Sequence, residues 1–389
     1  MRDLIKIATV WSLLIIAGVL SGCGSGSSER QARNQGEISI TVTDSTGTPL
    51  SGVQVQVRTT AGTGAFDNIG TTDTTGKLTF TGDAGTDYFF TLSKTGFVTQ
   101  TDILRTPLLT STVALNVTMN VSPGATIGTI SGTAVKGPVA NATMTAFSIN
   151  NGAMGSQIGT GQTDAQGNFT MSVGDYSGPV MLQMKGGSYV DEATGTTMAM
   201  QQSDMMTAVI PSMSAGAAVS GVQMTPVTSM AQTMAQGMSG GMTAANIATA
   251  NTAMGNYFMV NDILHVHPMD PLIQGAGSGA DQNAKNYGVA IAAMSQLAKN
   301  TGMSFSSGMV TAMMSDASDG RMNGMTGTSP VQMGGGMMGG TMMSSNSGTS
   351  GMATAMSQFI QSSMNKSGVT LADMQSLMNK LTASNGVVQ

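Results

Sequence analysis

From Glu37 to Met119 the apolar residues fall on alternate positions, and this period decides what the front of the chain can become. Ile38, Ile40 and Val42 alternate with polar neighbours. Val53, Val55 and Val57 repeat the pattern, followed by Leu78 and Phe80, by Tyr88, Phe90 and Leu92, and by Val113, Leu115, Val117 and Met119. Successive side chains of a strand face opposite ways, so period two in β-branched and aromatic residues describes strands with one buried face. Asp44-Ser45-Thr46-Gly47, Asp73-Thr74-Thr75-Gly76 and Lys94-Thr95-Gly96 lie between the runs. Asp bonds its own backbone and Gly takes positive φ, so these are turns. Short strands at this spacing predict an antiparallel sandwich over 37–121.

A second copy follows. Gly47-Thr48-Pro49-Leu50-Ser51-Gly52-Val53 matches Gly137-Pro138-Val139-Ala140-Asn141-Ala142, and Thr72-Asp73-Thr74-Thr75-Gly76-Lys77-Leu78-Thr79 matches Thr163-Asp164-Ala165-Gln166-Gly167-Asn168-Phe169-Thr170. The Pro-to-Asp spacing is 24 residues in one copy and 26 in the other. One fold used twice is therefore expected, with the second module over 127–197. The first module adds Tyr88…Ser93-Lys94-Thr95-Gly96-Phe97. With that piece the order of motifs resembles the carboxypeptidase regulatory-like, transthyretin-like sandwich domain. The resemblance implies an Ig-like sandwich serving as a spacer or binding module in secreted and envelope proteins, related to carbohydrate-binding folds and carrying no catalytic set. The second module departs from the pattern at its end, Gly186-Gly187-Ser188-Tyr189-Val190-Asp191-Glu192. In a strand, Asp191 and Glu192 would point to opposite faces. Asp73 and Asp164 have two readings, a calcium or glycan contact or simply the turn.

After Thr197 the alternation fades and helical spacing takes over. Pro226 opens a segment with Met230, Met234 and Met238 at steps of four. Thr243 can cap the next, whose face is Ile247, Met254 and Phe258. Further stripes are Ala284-Tyr287-Ile291-Met294-Ala298, Val310-Met313-Ala317, Met352-Met356-Phe359-Ile360 and Leu371-Met374-Met378-Leu381. Such stripes bury against one another, so 198–389 is expected to be a helical bundle. Within it, 320–351 is rich in Gly, Ser and Met with neither period, and is expected to be a disordered low-complexity loop.

Methionine divides the chain more sharply than any other residue. Of 37 Met, 30 follow residue 197, where there are only six Leu. Met conserves the volume of Leu and has good helix propensity, so it can fill the same core at a cost under about 1.5 kcal/mol per swap. The loop residues Met333, Met337, Met338, Met342 and Met343 lack helical support and apolar neighbours. Thioether sulfur suits Cu(I), and Met spaced by small residues resembles the Met-rich motifs of envelope copper-handling proteins. His265-Val266-His267-Pro268-Met269 holds both His of the chain, and His-x-His in an extended segment would put both imidazoles on one face. Cu(I) or Ag(I) binding by His265, His267, Met269 and the loop methionines is therefore an alternative, as are oxidant scavenging and an adaptable partner surface.

The first 22 residues account for the sole Trp, and the sole Cys follows them. Arg2 and Lys6 precede an apolar run from Ile7 to Leu20, and Leu20-Ser21-Gly22-Cys23 closes it. A short apolar run ending in small residues is a cleavable signal. The segment resembles the signal and lipobox of bacterial lipoproteins, which implies cleavage before Cys23, diacylglycerol on its thiol and an acylated amino terminus. Gly24 behind the Cys implies the outer membrane in that family. The residues 23–36 then form the lipidated Cys and a flexible polar tether. One Cys and two His rule out a disulfide, a c-type haem and structural zinc. Net charge is −5 and charged residues are 9% of the chain, against about 25% in ordinary domains, which argues against nucleic acid as a partner. No phosphate loop, nucleophile elbow or metalloprotease helix is present. The sequence thus predicts a multidomain β + α protein: two tandem antiparallel Ig-like, transthyretin-like sandwiches, then a Met-rich helical bundle with a disordered Gly/Met loop. It would be a non-catalytic lipoprotein without cofactor, held to the membrane and contacting an envelope protein or polysaccharide.

Overall fold

The computed structural model describes residues 34–45, 47–201, 203–333 and 341–389. Cys23, Met337 and Met338 lie outside the described residues. Seven strands form the first sandwich: β1 (Gln35–Asp44), β2 (Gln54–Arg58), β3 (Asp67–Thr71), β4 (Lys77–Asp83), β5 (Tyr88–Ser93), β6 (Gln100–Arg105) and β7 (Val113–Met119). They make two sheets, ordered β4-β1-β7 and β3-β2-β5-β6. β1 pairs antiparallel with β4 and parallel with β7, placing Ile40 opposite both Leu78 and Leu115. The alternating residues do what their period dictates. Ile38, Ile40, Val42, Val53, Val55, Phe90, Leu92 and Leu115 are all fully buried, and this core is separate from the rest of the molecule.

The second sandwich repeats the topology strand for strand. Its elements are β8 (Gly128–Ala134), β9 (Thr143–Asn150), β10 (Ala153–Gln162), β11 (Asn168–Gly174), β12 (Gly178–Lys185), a hairpin of β13 (Ser188–Val190) and β14 (Thr197–Ala199), β15 (Met205–Met213) and β16 (Ala218–Met224). The sheets are β11-β8-β16, with β8 and β16 parallel, and β10-β9-β12-β15. The two modules differ by one insertion. Where β5 passes to β6 in six residues, the β13–β14 hairpin stands between β12 and β15. The expected boundary at Thr197 is corrected, since two strands needed to complete the sandwich lie beyond it. β15 escapes the alternation rule because five consecutive residues, Met206 to Ile210, are buried. A strand covered on both faces reads as a continuous apolar run.

Helices follow: α1 (Pro226–Gly237), α2 (Ala244–Phe258), α3 (Ala276–Gly279), α4 (Gln282–Asn300), α5 (Ser307–Ala317), α6 (Ser350–Ile360) and α7 (Leu371–Ala383). All six expected stripes are helices. Thr225 caps α1 in a reciprocal capping box with Thr228, and Thr243 caps α2. The edge strand β15 is sealed by side chains of α1 and α2. Ser229 Oγ accepts from Thr207 N–H (2.8 Å), Thr228 Oγ1 donates to Thr207 O (2.9 Å), and Asn251 Nδ2 donates to Val209 O (3.2 Å). Side-chain groups here take the place of a neighbouring strand at Thr207 and Val209, which closes the middle of the edge to another chain. One hydrophobic core accordingly runs from Ile130 to Val388, joining the second sandwich to the helices.

Segment 320–351 is not a structureless loop in its described part. Short pairs β17 (Met325–Thr326) with β18 (Ser329–Pro330) and β19 (Gln332–Met333) with β20 (Thr341–Met342) fold against α5. Among the described residues no helix is long and apolar enough to cross a membrane.

Candidate functional site at the sandwich–helix junction

The inserted hairpin carries the most heavily charged buried cluster in the described structure. β13 ends at Val190, and Asp191 then turns the chain, its Oδ1 accepting from Ala193 N–H (3.1 Å), Thr194 N–H (3.0 Å) and Thr194 Oγ1 (2.9 Å). Because the backbone is turning rather than extended, Asp191 and Glu192 face the same lysine. This corrects the expectation that they point apart. Lys136, in the β8–β9 connection, is wholly buried, with Nζ 2.9 Å from Glu192 Oε2 and 3.9 Å from Asp191 Oδ2.

Hydroxyls from two helices complete the shell. Ser295 of α4 accepts from Lys136 and donates to Glu192 Oε2 (2.5 Å). Ser306, at the start of α5, donates to Asp191 Oδ2 (2.5 Å), and Ser307 and Thr311 donate to Asp204 (2.6 and 3.0 Å). The N-terminal end of α5 therefore meets two carboxylates, the polarity its helix dipole favours. Tyr189 accepts from Ser307 N–H (3.1 Å), and its ring centre lies 5.1 Å from the Lys136 ammonium. Burial by itself disfavours the Lys136 cation; the charges on Glu192 and Asp191, with the hydrogen bond to Glu192, outweigh it and raise the pKa. Burial likewise opposes ionisation of Asp191, and Lys136 with the Ser306 and Thr194 hydroxyls reverses this, holding it below the ordinary value. Lysine and aspartate are thus both fixed in their charged forms, an arrangement that fastens the hairpin to α4 and α5. A lysine kept protonated is neither nucleophile nor base.

Glu192 also lines a pocket of about 220 Å³ between the second sandwich and the helical region. Val135, Pro138, Gln166 and Asn168 come from the sandwich side, and His267, Pro268, Met269, Asp270, Pro271 and Ile291 from the helical side. Gln166 and Asn168 belong to the Asp164 turn. There Asp164 Oδ1 accepts from Gln166 N–H (2.9 Å) and Asn168 N–H (2.8 Å), which lowers its pKa. Asp73 makes the same turn, accepting from Thr75 N–H (2.8 Å) and Lys77 N–H (2.9 Å). Gly76 and Gly167 close the two turns at φ +74° and +79°, and a Cβ on either would lie 2.4 or 2.6 Å from a backbone oxygen. In both aspartates Oδ1 makes the turn.

Of the described residues singled out as soft-metal ligands, His267 and Met269 line one pocket together. His265 is exposed and paired with Asp262 (Nδ1 to Oδ2, 2.8 Å), while His267 Nδ1 is 3.1 Å from Gln223 Oε1. Met269, Met333 and Met343 are buried in the apolar core at 6%, 4% and 5% exposure, and Met342 is exposed. Met269, Met333 and Met343 belong to the core that the second sandwich shares with the helices. Among the described residues no three His, Cys, Asp or Glu gather to hold a metal. Lys136, Ser295 and Ser306 are not legible as site residues; the one signal is the adjacent Asp191-Glu192 pair in a chain so poor in charge.

No family model matches the chain, and no curated protein matches it. Among solved structures, the Bacillus anthracis TIE protein is 16% identical over 49% of this chain and 34% of its own, with a TM-score of 0.21. A streptococcal ancillary pilin is 15% identical over 49% of this chain and 62% of its own, also at 0.21. A DUF3823 family protein from Parabacteroides merdae is 13% identical over 39% of this chain and 90% of its own, at 0.21. The chain thus spans about a third of the first of these proteins and less than two thirds of the second.

Proposed function

We propose that this protein is a lipid-anchored component of the bacterial outer membrane, tethered through Cys23, whose folded head binds or supports another envelope component without catalysis. The junction pocket carries this reading. It is formed only where the second sandwich meets the helices, and the charged groups beside it are engaged in fastening those two parts together. A walled pocket beside an ion cluster held in its charged forms suits holding a ligand rather than moving protons. The signal-like start and Leu20-Ser21-Gly22-Cys23 support the anchor, with the polar stretch between Cys23 and the start of β1 at Gln35 as the tether. Two or more acyl chains hold a protein stably on a bilayer, where one is marginal. Metabolic labelling with palmitate tests the anchor: the native chain takes up label and sediments with membranes, and a Cys23→Ala chain that is still labelled contradicts it. A glycan array tests polysaccharide as the partner, and binding that survives a Val135→Phe block of the pocket would place it elsewhere.

A further inference from the structure

We infer that the junction pocket takes a primary ammonium group carried on a short apolar stem. The inference rests on reading the head as a binding body, and it names the ligand of that pocket. The buried cluster holds one cation, Lys136, against two carboxylates, Asp191 and Glu192. Lys299 lies on the Asp191 side, where its Nζ donates to Ala193 O (3.0 Å). Among the described residues the Glu192 side has no second cation. Glu192 is 2% exposed; its Oε2 is taken by Lys136 and Ser295, and among the described residues its Oε1 makes no hydrogen bond. A carboxylate oxygen that lacks a protein donor and borders a cavity is a place for a ligand's donor.

The walls specify the remainder of the ligand. Val135, Pro138, Pro268, Met269 and Ile291 are apolar and leave an aliphatic body as the matching occupant. A single open carboxylate oxygen suits an ammonium, which has three donors and no acceptor, better than a metal ion that asks for several oxygens. In the same lining Asn168 Oδ1 already accepts from Thr133 Oγ1 (3.2 Å) and Asp270 Oδ1 from Leu272 N–H (2.8 Å). The volume of about 220 Å³ exceeds the roughly 150 Å³ apolar cavity that admits benzene, so a stem of four to six heavy atoms fits. Free alkylamines and a lysine side chain presented by another protein share this chemistry.

Isothermal titration of the full chain with n-butylammonium, n-butanol and a blocked lysine amide tests the inference. The amine is expected to bind at least about tenfold more tightly than the alcohol, the range a charge-assisted hydrogen bond supplies. Glu192→Gln should erase that difference while leaving the alcohol unchanged. Val135→Phe, which narrows the pocket and leaves the ion cluster intact, should abolish both, and it settles the question if Glu192→Gln fails to fold. Tighter binding of the lysine amide identifies a protein side chain as the source, and tighter binding of n-butylammonium a free amine. Equal binding of amine and alcohol, no heat with the amine, or amine binding that persists in Val135→Phe overturns the inference. The binding reading itself falls only if the glycan array is blank as well, and palmitate labelling of Cys23 is independent of both.

Discussion

The two sandwiches share one topology and have opposite fates. In the first, the step from β5 to β6 is six residues long, β6 is a half-exposed edge, and the core closes on itself. In the second, the same step holds the β13–β14 hairpin, the equivalent edge strand β15 is capped by Ser229, Thr228 and Asn251, and the core continues into the helices. A single insertion between the fifth and sixth strands, together with one sealed edge, turns a free-standing module into half of a larger body. The chain should therefore unfold as two units, the first sandwich and everything from Gly128 onward.

The severest way to break this comparison is to remove the cation that fastens the inserted hairpin. Lys136→Met leaves Asp191 and Glu192 buried and uncompensated, at an expected cost of about 3–5 kcal/mol. Calorimetry should show the larger unit melting far earlier while the first sandwich is unmoved. A complementary cut, Ile40→Ala in the first core, should cost about 2–5 kcal/mol and shift only the smaller transition.

Asp316 gives the larger unit a pH signature that the first sandwich lacks. It is wholly buried near the end of α5, with Oδ1 accepting from Asn323 N–H (2.9 Å), Gly324 N–H (2.7 Å) and Met325 N–H (3.2 Å), and among the described residues its Oδ2 has no partner. Burial pushes its pKa up to about 6 from an unfolded value of 3.8, against the pull of those three N–H groups. The native state then holds more protons than the unfolded one between about pH 4 and 6, so stability falls as pH rises through that window and stays low above it. The expected loss is about 3 kcal/mol, because each tenfold change in proton affinity between the two states is worth about 1.4 kcal/mol. Asp191, held below its ordinary value, acts oppositely and only in more acidic solution, where its protonation removes stability. Asp316→Asn should flatten the fall between about pH 4 and 6, as read by denaturant midpoints across pH.

The smallest effect concerns methionine. Met230→Leu in α1, at a fully buried position, should change stability by less than about 1.5 kcal/mol if Met is simply occupying the place of Leu. A much larger loss would mean that this core needs the thioether's flexibility.

What the sequence can tell follows from where each element finds its partners. The first sandwich is legible because half-buried strands write period two directly, as in Ile38, Ile40 and Val42. The six long helices are legible because each has an apolar stripe, and Pro226 or Thr243 marks where two of them begin. β15 is not, since Met206 to Ile210 are buried on both faces and the period vanishes. The site is half legible. His267, Met269 and the Asp164 turn stand out separately along the chain, and only the fold brings them to one pocket with Glu192. Lys136 gives no sign at all, because its partners lie 55, 56 and 159 residues away along the chain. Met333 and Met343 look unsupported along the chain, yet both are buried in the core that the second sandwich shares with the helices.

Native-state hydrogen exchange followed by mass spectrometry tests the central claim most directly, because it reports opening free energies segment by segment. Peptides from β9 and β12 of the second sandwich and from α1 and α4 should share one global opening free energy, fall together in Lys136→Met, and differ from peptides of β1 and β5. If the second-sandwich peptides instead open with those of the first sandwich while α1 and α4 stay protected, the fused unit does not exist.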